Sequence, residues 1–111
     1  MMLNKRAESI LSLASRAGKL TSGGESVEKS LQSGDCELII MSTEASENTV
    51  KKFINKCHYY GKDVITCGTT DQISKTIGRN ARVVVSVNDA GFAKLLRECL
   101  NRSTDVGVLS E

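Results

Sequence analysis

A short segment at 23–29 (GGESVEK) concentrates residue types that bind an anion or the edge of a nucleotide base. It follows a brief apolar step and opens a predicted helix, whose first N–H groups lack intrahelical partners and carry a partial positive charge. The two glycines let a ligand approach the backbone closely. Glu25, Ser26 and Lys29 add an acceptor, a hydroxyl and a cation at the same end. The segment therefore fits a phosphate or a base edge as its ligand.

The same residues also fit a purely structural interpretation. Ser22 and Glu25 have the spacing of a capping box, in which the serine caps the helix and the glutamate reaches back to it. Glu25 and Lys29 stand four residues apart, in the order that favours a weak helical ion pair. Spacing alone leaves both interpretations open, ligand binding and helix capping.

Length and charge narrow the class of protein. The chain has 111 residues, enough for one compact domain, which we place at 1–102, followed by a frayed C-terminal tail at 103–111. Its net charge is only +2, so any nucleic-acid surface must be a local patch. The sequence shows no signal peptide and no apolar run long enough to span a membrane. We therefore expect a cytoplasmic protein without a membrane partner.

Side chains that commonly carry catalysis or bind metals are sparse. The four cysteines have no paired metal-ligand spacing, so we expect reduced, buried thiols. His58 is the only histidine, and the sequence places no nucleophile and base in a recognisable arrangement with it. The chain also lacks a dinucleotide-binding glycine pattern and a phosphate-binding Walker loop. These features predict a non-catalytic protein without a metal or cofactor.

Helical and strand periods alternate along the chain. Short apolar or β-branched runs predict strands at 19–22, 38–41, 64–67 and 83–87. Five predicted helices flank or separate these strands, and their apolar stripes, which include Ile54 and Leu95, are expected to face inward. Short buried strands between helices predict an α/β fold with helices on both faces of the sheet.

Cap residues set the limits of the later helices. Ser46 begins the third helix, Thr69 begins the fourth, and a glycine ends each of them. Either Asn88 or Asp89 begins the last helix. The predicted element order is therefore α-β-α-β-α-β-α-β-α.

Four stretches of the chain resemble one known family. They lie in collinear order at 10–23 (ILSLASRAGKLTSG), 44–52 (EASENTVKK), 57–61 (CHYYG) and 77–85 (IGRNARVVV). The pattern resembles the kink-turn RNA-binding superfamily of the ribosomal proteins L-seven-Ae and L-thirty-e, and within it the bacterial YlxQ-like proteins. The resemblance extends over about 5–100 without large gaps, and several matched stretches in one order are far more specific than a single short motif.

The resemblance implies a three-layer α/β/α sandwich around a small mixed four-stranded sheet. It also implies that RNA binds at the start of the second helix and at the loop before the last strand. The family signature at that helix is Asn-Glu-x-x-Lys, and the matching residues here are Glu25, Ser26 and Lys29. The lysine is kept, whereas the pair that reads guanines of sheared G·A pairs is replaced. Glu25 can still accept from guanine N–H groups, and Ser26 can donate or accept.

The loop before the last strand also departs from the family pattern. The residues that stand where several relatives place apolar side chains against RNA are Arg79, Asn80, Ala81 and Arg82. Arginine forks fit phosphates and stack on splayed bases, while the residues alone leave a solvated loop equally open. With the resemblance, this loop and Lys29 flank one cleft, which Lys19 extends.

These observations lead to one hypothesis, a non-catalytic RNA-binding protein that recognises a kink-turn or similar bent element in translation-related RNA. Its expected partner is a structured RNA, with the ribosome as a further candidate, and nothing in the sequence calls for more than a monomer. Glu25 and Ser26 would read base edges. The other residues expected at the RNA site are Lys19, Gly23, Gly24, Glu28, Lys29, Arg79, Asn80, Ala81 and Arg82.

Two alternatives remain from the sequence. The first is a protein-interaction module of the translation machinery that has lost specific kink-turn binding, which the Glu25-Ser26 replacement favours. The second is an enzyme or small-ligand binder that uses the Gly23-Gly24 corner for a phosphate. Nuclease-resistant partners would indicate the first alternative, and protection by nucleotides would indicate the second.

Overall fold

Helices and strands alternate in the order that the sequence predicts. The structure, a computed structural model, describes residues 3–103, and the side chains of 3–100. Its elements are α1 (Lys5–Arg16), β1 (Leu20–Ser22), α2 (Gly24–Ser33), β2 (Leu38–Met41), α3 (Glu47–Tyr60), β3 (Asp63–Thr66), α4 (Thr70–Ile77), β4 (Val84–Val87) and α5 (Ala90–Ser103). The predicted tail, 103–111, lies outside the described residues except for Ser103, which ends α5.

Side-chain caps begin the later helices where the sequence places them. The Ser46 hydroxyl accepts from the Thr49 amide at the start of α3. The Thr69 hydroxyl accepts from the Gln72 amide at the start of α4. At the start of α5 the Asp89 carboxylate accepts from the Phe92 amide at 2.9 Å, so Asp89 rather than Asn88 is the cap. These bonds satisfy amides that have no partner within their own helix.

The sheet is mixed and small. Its strand order is β1-β4-β2-β3. β4 pairs antiparallel with both β1 and β2, and β2 pairs parallel with β3. The expectation of a mixed four-stranded sheet is thus confirmed, and β1 forms one of its edges.

Side-chain alternation along the strands divides the core into two layers. On one face Leu38, Ile40 and Val85 pack with buried residues of α1, α4 and α5. On the other face Ile39 and Met41 pack with buried residues of α2 and α3. Because successive strand side chains point to opposite faces, continuous apolar strands are covered on both sides. The three-layer α/β/α sandwich is confirmed.

Two apolar residues do not face the core. Ile54 of α3 is 47% exposed and Leu95 of α5 is 42% exposed, so the prediction that both face inward is wrong. Ile54 directly follows the buried Phe53, and Leu95 directly precedes the buried Leu96. Because successive residues are rotated by about 100° around a helix, Ile54 and Leu95 lie beside the covered face and not on it. The apolar stripes of these helices are therefore wider than the surface that the sheet covers.

The cysteines are buried and free, as predicted. Cys36 and Cys57 belong to the α2–α3 side of the core, and Cys67 and Cys99 to the other side. Burial raises the pKa of both Cys57 and Cys67 to about 12, so these thiols stay protonated and act as small apolar side chains. Within residues 3–100, no group of three metal-binding side chains comes together. None of the described helices is both long and apolar enough to cross a membrane.

Candidate nucleic-acid interface

The sheet register brings the start of α2 beside the loop that leads into β4. Ser22, the last residue of β1, pairs with Val85. The next amide, that of Gly23, donates to the Val84 carbonyl at 3.0 Å. Because β1 and β4 are antiparallel, the end of one strand meets the beginning of the other. Residues that are far apart in the sequence therefore share one corner of the molecule.

Gly23 makes the turn from β1 into α2. Its backbone angles are φ 93° and ψ 144°, and no side chain caps the helix there. Positive φ of this kind is accessible to glycine and strained for other residues. The intrahelical bonds begin with the Val27 amide, which donates to the Gly23 carbonyl at 2.9 Å. The amides of 24–26 therefore have no partner within the helix.

The predicted capping box does not form. Ser22 lies in β1, and its hydroxyl accepts a hydrogen bond from Arg82 Nε at 3.1 Å instead of capping α2. The prediction of Ser22 as the cap is wrong because the strand continues one residue further than the capping pattern requires. The interpretation of this segment as a capping box is therefore wrong. Ser22 instead links the edge strand β1 to the loop before β4.

The polar side chains of α2 divide into exposed and paired ones. Glu25, Ser26 and Lys29 are exposed on the first two turns. Glu28 is less exposed and forms an ion pair with Lys52 of α3. Among the described residues, no ion pair joins Glu25 to Lys29, so both remain open to a ligand. Glu28, by contrast, joins α2 to α3.

The loop before β4 is held by a buried serine of α4. The Arg82 amide donates to the Ser74 hydroxyl at 2.7 Å, and that hydroxyl lies 3.4 Å from the Arg82 carbonyl oxygen, to which it donates. The Arg79 amide donates to the Ser74 carbonyl at 2.8 Å. Ala81 adopts φ 52°, in the left-handed region that alanine seldom occupies. The loop therefore has a fixed shape, with Arg79 exposed and Arg82 half-buried against β1.

A groove of about 400 Å³ runs along the free edge of β1 between α2 and α4, and we call it the β1 groove. Its lining residues are Ser15, Gly18, Leu20, Thr21, Ser22, Ser26, Ile77, Arg79 and Arg82. Two arginines and four hydroxyl groups face it, and none of these described residues carries a carboxylate. Such a surface attracts phosphate and offers hydroxyls to sugars and base edges.

The backbone of β1 contributes to the same groove. The Lys19 carbonyl accepts from the Asn88 amide at 2.8 Å, and the Gly23 amide donates to Val84. In an antiparallel pair the hydrogen-bonded residues alternate with residues that point away from the partner. Leu20 and Ser22, which both line the groove, therefore direct their N–H and C=O groups away from β4, towards the free edge of the sheet.

The structure brings together only some of the predicted site residues. Ser26, Arg79 and Arg82 line the β1 groove, whereas Gly24, the first residue of α2, is not part of its lining. The Gly23 amide is already engaged with β4. The first two turns of α2 present Glu25 and Lys29 on its exposed face, beside the groove rather than in its lining.

Three predicted residues lie elsewhere. Asn80 and Ala81 line a neighbouring groove that also contains the carboxylates of Glu44 and Asp71. Lys19 is joined to Asn88, at the opposite end of the β1–β4 pair from Gly23. The three residues of β1, each of which rises by about 3.4 Å, lie between Lys19 and the start of α2.

Sequence reasoning missed the hydroxyl groups of the groove. Ser15, at the end of α1, and Thr21, on β1, both line it. Ser15 also donates to the Ile77 carbonyl at 3.3 Å and thereby joins α1 to the end of α4. These residues have no distinctive spacing, because the groove forms only when α1, β1 and α4 pack together.

Comparisons with known proteins agree with this architecture. A family model described as the Ribosomal protein L7Ae/L30e/S12e/Gadd45 family matches residues 5–97. The chain is 38% identical over 92 residues to the RNA-binding protein YlxQ of Bacillus subtilis (strain 168), which covers 83% of this chain and 92% of the relative. It is 32% identical over 96 residues to the RNA-binding protein YlxQ of Enterococcus faecium, with coverage of 86% and 92%.

Solved structures share the fold. A protein of unknown function from Bacillus halodurans C superposes with a TM-score of 0.82 at 38% identity, covering 85% of this chain and 95% of that one. The 15.5kD RNA binding protein of Giardia lamblia superposes with a TM-score of 0.75 at 14% identity, covering 91% and 90%. The second likeness concerns the fold alone.

The family match spans nearly the whole described chain, and both curated relatives are matched over most of their length. Those relatives are named as RNA-binding proteins and not as enzymes, which confirms the expectation of a non-catalytic chain. The resemblance inferred from the sequence is confirmed as well. The chain belongs to the Ribosomal protein L7Ae/L30e/S12e/Gadd45 family, in which it is similar to the YlxQ proteins.

Proposed function

We propose that this chain is a cytoplasmic, monomeric RNA-binding protein that recognises a kink-turn or similarly bent element in translation-related RNA. The observation that carries the proposal is the β1 groove, which unites Ser26 with Arg79 and Arg82 although more than fifty residues separate them in the chain. The names of the curated relatives support RNA as the partner.

The groove has the chemistry that a bent RNA requires. Arg79 is exposed at the rim and Arg82 is held against Ser22, so one guanidinium is free to adjust while the other is positioned. Guanidinium forks bind phosphates in a bidentate manner and stack on unstacked bases. The unpartnered amides at the start of α2 add donors for a further phosphate.

Exposed side chains at the start of α2 recognise the bases. Glu25 accepts hydrogen bonds, which suits the N1–H and N2–H donors of guanine, and Ser26 offers a hydroxyl that donates or accepts. Lys29 lies one turn further along the same exposed face of α2, where its ammonium group meets a flanking phosphate. A sharply bent RNA brings bases and backbone together over such a small patch.

Equilibrium binding across a salt series tests this function. We expect tighter binding to a kink-turn RNA than to a straight duplex of equal length, with a preference that persists as the salt concentration rises. Replacing Lys29→Gln and Arg79→Gln together should weaken binding to the kink-turn about a hundredfold or more, since each of the two lost charge-assisted hydrogen bonds contributes about 1.5–3 kcal/mol. It should also reduce the salt slope by about 1 for each lost phosphate contact.

A matched control removes the same charge elsewhere. Lys5, at the start of α1, and Lys94, in α5, are exposed, and Lys5→Gln with Lys94→Gln should leave the preference for the kink-turn intact. Equal, steeply salt-dependent binding of the kinked and straight RNAs would contradict the proposal. In that case, the altered pair Glu25-Ser26 would favour a protein-interaction module of the translation machinery.

A further inference from the structure

A second groove continues from the β1 groove on the α1 side. It has a volume of about 330 Å³ and lies between the C-terminal ends of α1 and α4, so we call it the α1–α4 groove. Ser15 and Ile77 line both grooves. The hydrogen bond from Ser15 to the Ile77 carbonyl therefore lies where the two grooves meet.

The α1–α4 groove has the same polarity as the β1 groove. Arg16 and Lys75 supply its cations, both are exposed, and Ser12 and Thr76 supply further hydroxyls. No carboxylate is found among its described lining residues. The two adjoining grooves thus present positive charge and hydroxyl groups, and none of their described lining residues carries a carboxylate.

Two further grooves beside α4 contain carboxylates. One is lined by Glu44 and Asp71 together with Arg79, and another by Glu8 and Asp71. Lys75 lies at the border of both and of the α1–α4 groove. Because those two grooves mix carboxylates with cations, the α1–α4 groove is the more favourable path for an anionic strand that leaves the β1 groove.

We propose that a strand of the bound RNA leaves the β1 groove past Ser15 and follows the α1–α4 groove, with Arg16 and Lys75 neutralising its phosphates. This inference rests on the proposed function and extends it, because the RNA site then covers α1 as well as α2 and the loop before β4. The ligand of the second groove is the sugar–phosphate backbone, and the groove contributes affinity rather than base recognition.

A purely structural role for these two cations is distinguishable. Both lie in the last turns of their helices, where positive charge stabilises the helix end. That role affects the free energy of unfolding and binding of every RNA equally. The proposed role affects only RNAs that are long enough to reach the second groove.

The test compares one kink-turn RNA with the same RNA carrying an unpaired extension of about six nucleotides at either end, a length that falls within the range of single-strand binding sites. For the wild-type protein, we expect one of the extensions to tighten binding. The double variant Arg16→Gln, Lys75→Gln should bind that extended RNA no tighter than the unextended one. The slope of the logarithm of the binding constant against the logarithm of the salt concentration should fall in magnitude by about 1.4 on the extended RNA. Each of the two lost single-strand phosphate contacts contributes about 0.7 to that slope.

The outcomes separate this inference from the proposed function. The control Lys5→Gln, Lys94→Gln should keep the full gain from the extension, and the Arg16/Lys75 variant should bind the unextended RNA like the wild type. If neither extension tightens binding, or if the Arg16/Lys75 variant keeps the gain, the second groove does not hold RNA. If the wild-type protein fails to prefer the kinked RNA at all, the proposed function itself is wrong.

Discussion

The starts of α2 and α4 lie at the same end of the sheet and are built in opposite ways. At α4, the Thr69 hydroxyl accepts from the Gln72 amide at 3.1 Å, and Glu44 Oε1 accepts from the Thr70 amide at 3.0 Å. At α2, Gly23 begins the helix and no side chain caps it. Both helix starts carry the same partial positive charge, but only the start of α2 leaves its first amides to a ligand.

Capping therefore decides which helix start can bind an anion. The Glu44 carboxylate neutralises the start of α4 and repels phosphate, whereas the start of α2 faces Arg79 and Arg82 across the β1 groove. A helix dipole attracts anions only where the protein itself has not already supplied one. The comparison explains why RNA contacts are proposed at the start of α2 and not at the capped start of α4.

The largest effect is expected at the glycine that turns the chain into α2. Gly23→Ala should lower the free energy of unfolding by about 2 kcal/mol, because φ 93° and ψ 144° are strained for a residue with a Cβ atom. The strained corner should also shift the open amides and weaken binding to the kink-turn RNA. Urea denaturation and equilibrium binding measure the two effects.

The adjacent glycine provides a matched control. A Cβ atom on Gly24 would meet Phe53 Cζ at 3.9 Å, an ordinary van der Waals contact. Gly24→Ala should keep the stability of the wild type or raise it by up to about 1 kcal/mol, since alanine is the better helix former. Equal losses of stability in both variants would mean that Gly23 is not a special conformational position.

A smaller effect is expected on the opposite wall of the groove, which α4 holds rigid. Ser74→Ala removes the hydroxyl that bonds both the amide and the carbonyl of Arg82. The free energy of unfolding should fall by about 1.5 kcal/mol, because the backbone groups of a half-buried residue lose their partner. Binding of the kink-turn RNA should weaken as well, since Arg82 is no longer positioned. Urea denaturation and RNA titration measure these losses.

Its control is a hydroxyl far from the groove. Ser33, at the exposed end of α2, bonds only to Ser30 and Asp35 in the described contacts, so Ser33→Ala should leave RNA affinity unchanged. If Ser74→Ala destabilises the fold without weakening the RNA complex, the shape of this loop is not part of the site.

Much of the fold follows from signals that act over a few residues. The caps Ser46 and Thr69 and the apolar run of β2 were predictable because each depends on neighbours within about four positions. The misplaced cap at Ser22 shows the limit of such reasoning. Its hydroxyl bonds to Arg82, sixty positions away in the chain, and no local pattern encodes that contact.

The candidate site was predictable only in part for the same reason. Ser26, Arg79 and Arg82 were identifiable by residue type and by resemblance, and they line the β1 groove. The participation of Ser15 depends on how α1 packs against the end of α4, which the sequence does not reveal. Residue chemistry thus predicted the charged members of the groove, while its hydroxyl lining required the tertiary structure.

The smallest effect is expected at the start of α4, the helix start that side chains cap. Thr69→Ala removes the hydroxyl that caps α4 and should lower the free energy of unfolding by about 1 kcal/mol, the usual contribution of an N-cap side chain. RNA affinity should stay at the wild-type value, because the Glu44 carboxylate still occupies the Thr70 amide and keeps phosphate away. Thermal unfolding and RNA titration measure the two quantities. A variant that gained affinity would show that the threonine cap excludes RNA, and one that lost affinity would place the start of α4 inside the binding surface.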